Sequence, residues 1–298
     1  MALWIPITFA AALVQTLRFL LQRQLKGAGL STGGATFSRF VFAAPLAAAL
    51  ALALLLAAEA GLPALSPRFW GFAVAGGLAQ IVATFCTVAL FHERNFAVGI
   101  GFTKTETVLV AGFSALILGE PVSATGLLAI AIGFAGVLAL TRARGAGEAR
   151  LFNRATLLGL MAGGFFGASA IGYRGATLEL LPAGFFFRAA LTLACVTAFQ
   201  TLAMALWLRL AEPGELTRVA ARWRRTLPVG IAGMLGSLGW FTAFALQNAA
   251  YVRAVGQVEV AFTVLVSWLV LRERLSLREL TGIGLVVASL LIIVLAPE

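Results

Sequence analysis

Aspartate is absent from the sequence, and there is a single histidine, His92, with only two cysteines, Cys86 and Cys195. Each shortage removes a class of chemistry. Without aspartate there is no paired-aspartate hydrolase. One histidine in a polar break forms no metal-ligand cluster. Two cysteines inside apolar stretches give neither a disulfide framework nor a Cys/His nucleophile pair. Neither a Walker loop nor a GxGxxG context occurs. No enzyme activity, metal or cofactor is therefore expected.

Charge is scarce as well. Only 11% of the 298 residues are charged and 61% are hydrophobic, and the mean hydropathy is +0.98. Soluble domains carry about 25% charged residues, so this chain cannot cover a water-facing surface. Its apolar runs of about 20 residues match the hydrocarbon thickness that a helix must span. The class is an all-α integral membrane protein with the lipid bilayer as its partner. A formal charge of +10 would suggest nucleic acid in a soluble protein. Here the arginines lie between apolar runs, where topology signals belong, and no nucleic-acid partner is expected. The run from Leu3 to Leu21 lacks a small-residue cleavage site and reads as a first span.

Apolar runs and their breakers predict ten helices, near 3–25, 32–59, 69–91, 96–118, 122–141, 155–174, 182–210, 227–247, 249–271 and 277–296. The shortest breaks are His92-Glu93-Arg94-Asn95 and Gln247-Asn248. Long polar stretches run from Thr141 to Arg154 and from Arg209 to Arg225. The first falls near the middle of the chain. It divides a five-helix unit at 1–141 from another at 155–298, with a basic linker at 142–154.

The two units resemble each other. "ETVLVAGFSALILGEPVS" begins at Glu106 and "EVAFTVLVSWLVLRERLS" at Glu259, and in each a second glutamate (Glu120, Glu273) follows 14 residues later. A shift of 153 residues superimposes them. "FSRFVFAAPLAAAL" around Arg39 likewise matches "FFFRAALTLACVTAF" around Arg188 at a shift of 149. Five helices per unit is an odd number, so the second unit enters the membrane upside down. Inverted repeats of this kind place a substrate cavity at their interface.

On these residues the chain resembles the drug/metabolite transporter superfamily, and within it the ten-helix EamA-type exporters. That family carries a Leu-Glu-Pro-Val segment, an apolar helix and then Gly-Glu-Arg-Leu, with 14 residues between the glutamates. "TETV … GEPV" at 105–122 and "VEVA … RERL" at 258–275 fit this pattern, and Arg39 and Arg188 match its Phe-x-x-Arg positions. The family's helix-bending proline is replaced by Thr107 and Val260. The overall look is nearest to bacterial amino-acid exporters of the YddG type. The resemblance implies export of amino acids, with aromatic or apolar ones included, and of related small metabolites by alternating access. A phosphate-ester or nucleotide-sugar exchanger of the same superfamily, or a non-transporting membrane scaffold, is the alternative. With both repeats in one chain, a monomer is expected to suffice.

The resemblance also implies a multi-pass protein of the bacterial inner membrane with cytoplasmic termini. The positive-inside count points the other way. Sixteen arginines and lysines fall in or near odd-numbered loops, against five (Arg39, Arg68, Arg174, Arg188 and Arg253) in the even ones. That asymmetry favours periplasmic termini.

Candidate site residues are polar groups stranded in apolar helices. Glu106 and Glu259 sit near the centres of their spans, where a charge costs about 2.5–3.5 kcal/mol and faces protein or water. Lys104 lies about 200° around the helix from Glu106, so it needs a partner on another helix. Gln80 with Thr84, Ser169 near Phe165, and Ser237 with Trp240 form polar or aromatic stripes at helical spacing. All of these are read as cavity-lining, with Lys104, Arg39 and Arg188 as possible charge partners. The bland reading stands beside it: buried hydrogen bonding for the charges, core packing for the rings, and carbonyl binding for the arginines. Glu120 and Glu273, at helix starts, read as structural. Gly230, Gly233, Gly236 and Gly239, together with Gly163, Gly164 and Gly167, read as close-packing positions.

Overall fold

The computed structural model describes residues 2–25, 29–57, 61–90, 102–143, 153–262 and 276–295. Among them there is no strand. The helices are α1 (Trp4–Gln24), α2 (Thr32–Val41), α3 (Ala43–Ala57), α4 (Pro67–Leu90), α5 (Glu106–Phe113), α6 (Ala124–Ala143), α7 (Arg154–Leu178), α8 (Phe185–Ala211), α9 (Glu215–Ala221), α10 (Trp223–Leu246), α11 (Ala249–Gly256) and α12 (Leu277–Leu295). A π-helical turn, Ser114–Leu118, extends α5. Among the described residues, seven spans are long and apolar enough to cross a membrane, with α2 and α3 counted together.

Short polar residues start these helices by accepting the orphan amide hydrogens of the first turn. Ser31 accepts from Gly34 N (2.9 Å), Ser66 from Phe69 N (3.0 Å), Ser123 from Gly126 N (3.1 Å) and Asn153 from Thr156 N (2.9 Å). Ser276 and Glu279 cap each other reciprocally before α12.

Besides the turns at 104–105 and 257, which interrupt the spans expected at 96–118 and 249–271, the structure differs from the sequence expectation in three places. The run 32–59 is two helices parted at Phe42, because Pro45 lacks the N–H for Val41 and its ring crowds that carbonyl. Helix α7 continues to Leu178, so Arg174 lies inside the helix and not at its end. The polar stretch 209–225 contains a short helix, α9. The breaks at 92–95 and the helix end around Glu273 lie outside the described residues.

Packing depends on small residues. Helix α4 lies along α7, and α1 along α10; α6 pairs with α12, α3 with α8, and α5 with both α7 and α11. At the α4–α7 crossing, a Cβ on Gly172 would lie 2.6 Å from Gly76 Cα. On α10, a Cβ on Gly239 would meet Ala11 Cβ of α1 at 2.8 Å, and Gly230, Gly233 and Gly236 also face α1 or α2. Gly163 takes the same role toward residues 102–105 ahead of α5, whereas Gly167 makes only ordinary contact with α5 (3.4 Å from Val110) and Gly164 has only Leu109 at 4.0 Å. Leucines such as Leu13, Leu17 and Leu20 of α1 point away from the bundle, as lipid-facing residues do.

Candidate functional site

The site begins with two broken helices. Lys104 and Thr105 form a turn ahead of α5, and Gln257 forms one just after α11. Tightened bonds close both: Thr107 N donates to Lys104 O (3.3 Å) and Val260 N donates to Gln257 O (3.0 Å). These pairs are related by the same shift of 153 that relates the glutamates. The interruption therefore exists without proline, and Thr107 and Val260 use the amide hydrogens that proline lacks.

Each break leads directly into a glutamate, and each glutamate is neutralised from the opposite half of the chain. Glu106 pairs with Arg253 of α11, and Glu259 pairs with Lys104. The partner that Lys104 needed on another helix is thus Glu259. Neither pair is intrahelical, as the 200° separation requires.

Two more groups, Gln15 and Trp240, join the two pairs into one network. Gln15 Nε2 donates to Glu259 Oε2 (2.7 Å), and Gln15 Oε1 accepts from Trp240 Nε1 (3.0 Å). The Arg253 guanidinium lies 4.6 Å above the centre of the Trp240 ring, within cation–π range. Lys104, Glu259, Gln15, Trp240, Arg253 and Glu106 are consequently linked in that order.

Beside this network is a small cavity lined by Gln15, Arg39, Gln80, Ser169, Ser237, Trp240 and Arg253 with the rings of Phe166, Tyr173, Phe241 and Phe244. It leaves about 20 Å³ for water, room for about one molecule and too little for an organic substrate in this arrangement. A second space of about 10 Å³ lies on the other side of Arg39, Gln80 and Ser237. Arg39 Nη1 donates to Thr84 Oγ1 (2.8 Å) and Nη2 to Ser237 Oγ (3.4 Å). With its amide oriented to satisfy every neighbour, Gln80 accepts from Arg39 Nη1 and Nη2 (2.6 and 2.9 Å) and donates to Ser169 Oγ (2.8 Å).

Gln80, Ser169, Ser237, Trp240 and Arg39 thus meet at one cavity, with Thr84 bonded to Arg39 and Glu106, Glu259 and Lys104 in the adjoining network. Two expected residues do not. Phe165 is 38% exposed and points outward; Phe166, one residue or about 100° farther round α7, lines the cavity instead. Arg188 donates to the carbonyls of Thr177 (3.1 Å) and Ala245 (3.2 Å) at two helix ends. Arg39 and Arg188 occupy matched sequence positions with different tasks. Sequence reasoning missed Gln15 and Arg253. Gln15 was visible as an amide inside an apolar run, whereas Arg253 looked like a helix-end charge.

Arg188 is part of a clasp at one end of the bundle. Arg174 Nη2 and Nε donate to the two Glu120 oxygens (2.7 and 3.2 Å), and Nη1 donates to Phe244 O (2.6 Å). Asn248 Nδ2 donates to Glu120 O (3.1 Å), and Ser114 Oγ donates to Asn248 Oδ1 (3.1 Å). Glu120 is thus held by an ion pair with Arg174.

Residues 153–295 match the EamA-like transporter family. A solved crystal structure superimposes on 97% of this chain and 95% of its own with a TM-score of 0.66 at 18% sequence identity; at that identity the likeness is one of fold. No curated protein matches the sequence.

Proposed function

We propose that the chain is a secondary-type transporter of the bacterial inner membrane, exporting amino acids and related small metabolites by alternating access. It would work as ten transmembrane helices in two inverted five-helix repeats, 1–141 and 155–298. The observation that carries this reading is the pair of reciprocal ion pairs beside the cavity, because each glutamate is neutralised from the opposite half of the chain. Helices that separate during alternating access must exchange these partners, so the network is placed to couple cavity opening to cargo. The match of residues 153–295 to a transporter family supports the same conclusion. Aromatic walls around a few polar groups suit a small molecule with an apolar side chain. One chain supplies both sides of the cavity, so a monomer suffices.

The test is counterflow in proteoliposomes with a panel of amino acids. Accumulation of aromatic or branched-chain members supports the proposal; no movement of any amino acid sinks the substrate assignment. Repeating the flux with and without a pH gradient in Glu106→Gln and Glu259→Gln assigns any proton coupling. Unchanged gradient dependence in both variants excludes these carboxylates as the coupling groups.

A further inference from the structure

The charges around the cavity do not balance. Arg39 is 6% exposed and borders both central spaces, yet its hydrogen-bond partners Thr84, Ser237 and Gln80 are all neutral. Hydrogen bonds to neutral oxygens satisfy the donors but leave the charge, which is costly in a low-dielectric interior.

A carboxylate to compensate it is missing among the described residues. The sequence has no aspartate, and the described glutamates have other partners. Glu106 and Glu259 neutralise Arg253 and Lys104. Glu120 holds Arg174, and Glu179 lies against Ser66 and Arg68. Glu212 and Glu215 receive Ser31, and Glu279 caps Ser276. Arg39, Lys104 and Arg253 against Glu106 and Glu259 leave one positive charge at the cavity. A second buried guanidinium, Arg18, lies near Gly233 and borders neither central space. It is 2% exposed, packs its stem against Gly233 as Arg39 does, and donates to Gln22 (2.6 Å). Its Nη2 has no hydrogen-bond partner among the described residues.

We infer that the cavity selects its cargo by an anionic group: Arg39 receives the carboxylate of a monocarboxylic acid whose apolar body lies against Phe166, Trp240 and Phe241. This rests on the transporter reading above and narrows it. One unpaired guanidinium bordering the cavity matches one negative charge, which favours a carboxylate over a doubly charged phosphate ester. In the arrangement seen, Glu106 and Glu259 already have cationic partners, so a cargo ammonium meets no vacant carboxylate beside Arg39. The amino group is therefore dispensable, and N-acylated amino acids remain ligands where amides and amines do not.

Equilibrium titration of the purified full-length protein in detergent tests this with L-phenylalanine, N-acetyl-L-phenylalanine, L-phenylalaninamide, 2-phenylethylamine and phenyl phosphate. Both acids are expected to bind, with the amide, the amine and phenyl phosphate each at least about tenfold weaker, since a charge-assisted contact is at stake. Arg39→Gln should weaken both acids by about 10- to 100-fold, with Arg39→Lys intermediate. Amine or amide binding equal to the acids, preference for phenyl phosphate, or no binding at all overturns the inference. So does unchanged acid affinity in Arg39→Gln; if that variant does not fold, the five ligands on the unaltered protein still decide. Acid binding without counterflow would leave the anion assignment standing while the transporter reading fails. Counterflow of amides and amines in preference to acids would do the reverse.

Discussion

Glu259 touches Lys104 and Gln15 at once, and its charge is what keeps Lys104 in the bundle. The two side chains are 12% and 11% exposed, so neither can shed its charge into water by a small rotation. Glu259→Gln preserves the volume and strands the ammonium. Breaking a buried ion pair from one side costs about 3–5 kcal/mol, whereas replacing both partners with apolar groups of similar shape is often close to neutral. Thermal unfolding in detergent should therefore show a large loss for Glu259→Gln and for Lys104→Met separately. The Glu259→Leu/Lys104→Met double variant should be more stable than either single one. Additive losses would mean that the pair is not energetically coupled.

Between elements, the contacts are set by glycine more than by large side chains. A methyl group on Gly172 would press on the backbone of Gly76 at 2.6 Å, and backbone cannot rotate away. Gly172→Ala should push α4 from α7 and cost about 1–3 kcal/mol, as overpacking does. Gly284 on α12 has nothing within 4 Å of an added Cβ, so Gly284→Ala should be neutral or stabilising by up to about 1 kcal/mol through helix propensity. The comparison of the two melting temperatures checks both. Equal effects would show that helix propensity, and not the crossing, governs position 172.

The same scale shows what the sequence made legible. Apolar length located the spans, and the repeat at a shift of 153 singled out Glu106 and Glu259 before their neighbours were known. The rotational offset of Lys104 from Glu106 required different partners for them. Periodicity does not say which helices adjoin, so the cross-pairing to Arg253 was hidden: an arginine four residues into α11 looks like any helix-end charge. Nor does it fix a helix's rotation to better than one residue, which is why Phe165 stood in for Phe166. Pro45 was visible, but the break at Phe42 requires knowing that the carbonyl one turn earlier loses its donor.

Across the whole molecule, the structure sharpens the charge asymmetry. Of the five arginines assigned to the even-numbered side, Arg39, Arg174, Arg188 and Arg253 all bind groups inside the bundle. Only Arg68 is open to its surroundings, with its side chain 80% exposed. Buried arginines are held by the protein fold, so almost no positive loop charge remains on that side to oppose the opposite one. The clasp of Arg174, Glu120, Arg188 and Asn248 lies at this end, which is outside the cell if the termini are periplasmic, the orientation the positive-inside count favours. If the clasp closes the cavity to the exterior, weakening it should expose the cavity from that side alone. In a background with Cys86 and Cys195 replaced by alanine, Ser169→Cys provides a thiol at the cavity wall. Adding Arg174→Gln removes both bonds to Glu120 and the bond to Phe244 O. A membrane-impermeant maleimide applied to intact cells should then label the cysteine severalfold faster than without the substitution. Faster labelling only in inverted vesicles would place the clasp on the cytoplasmic side and the termini with it. No change in either preparation would show that the clasp braces the helices without barring entry.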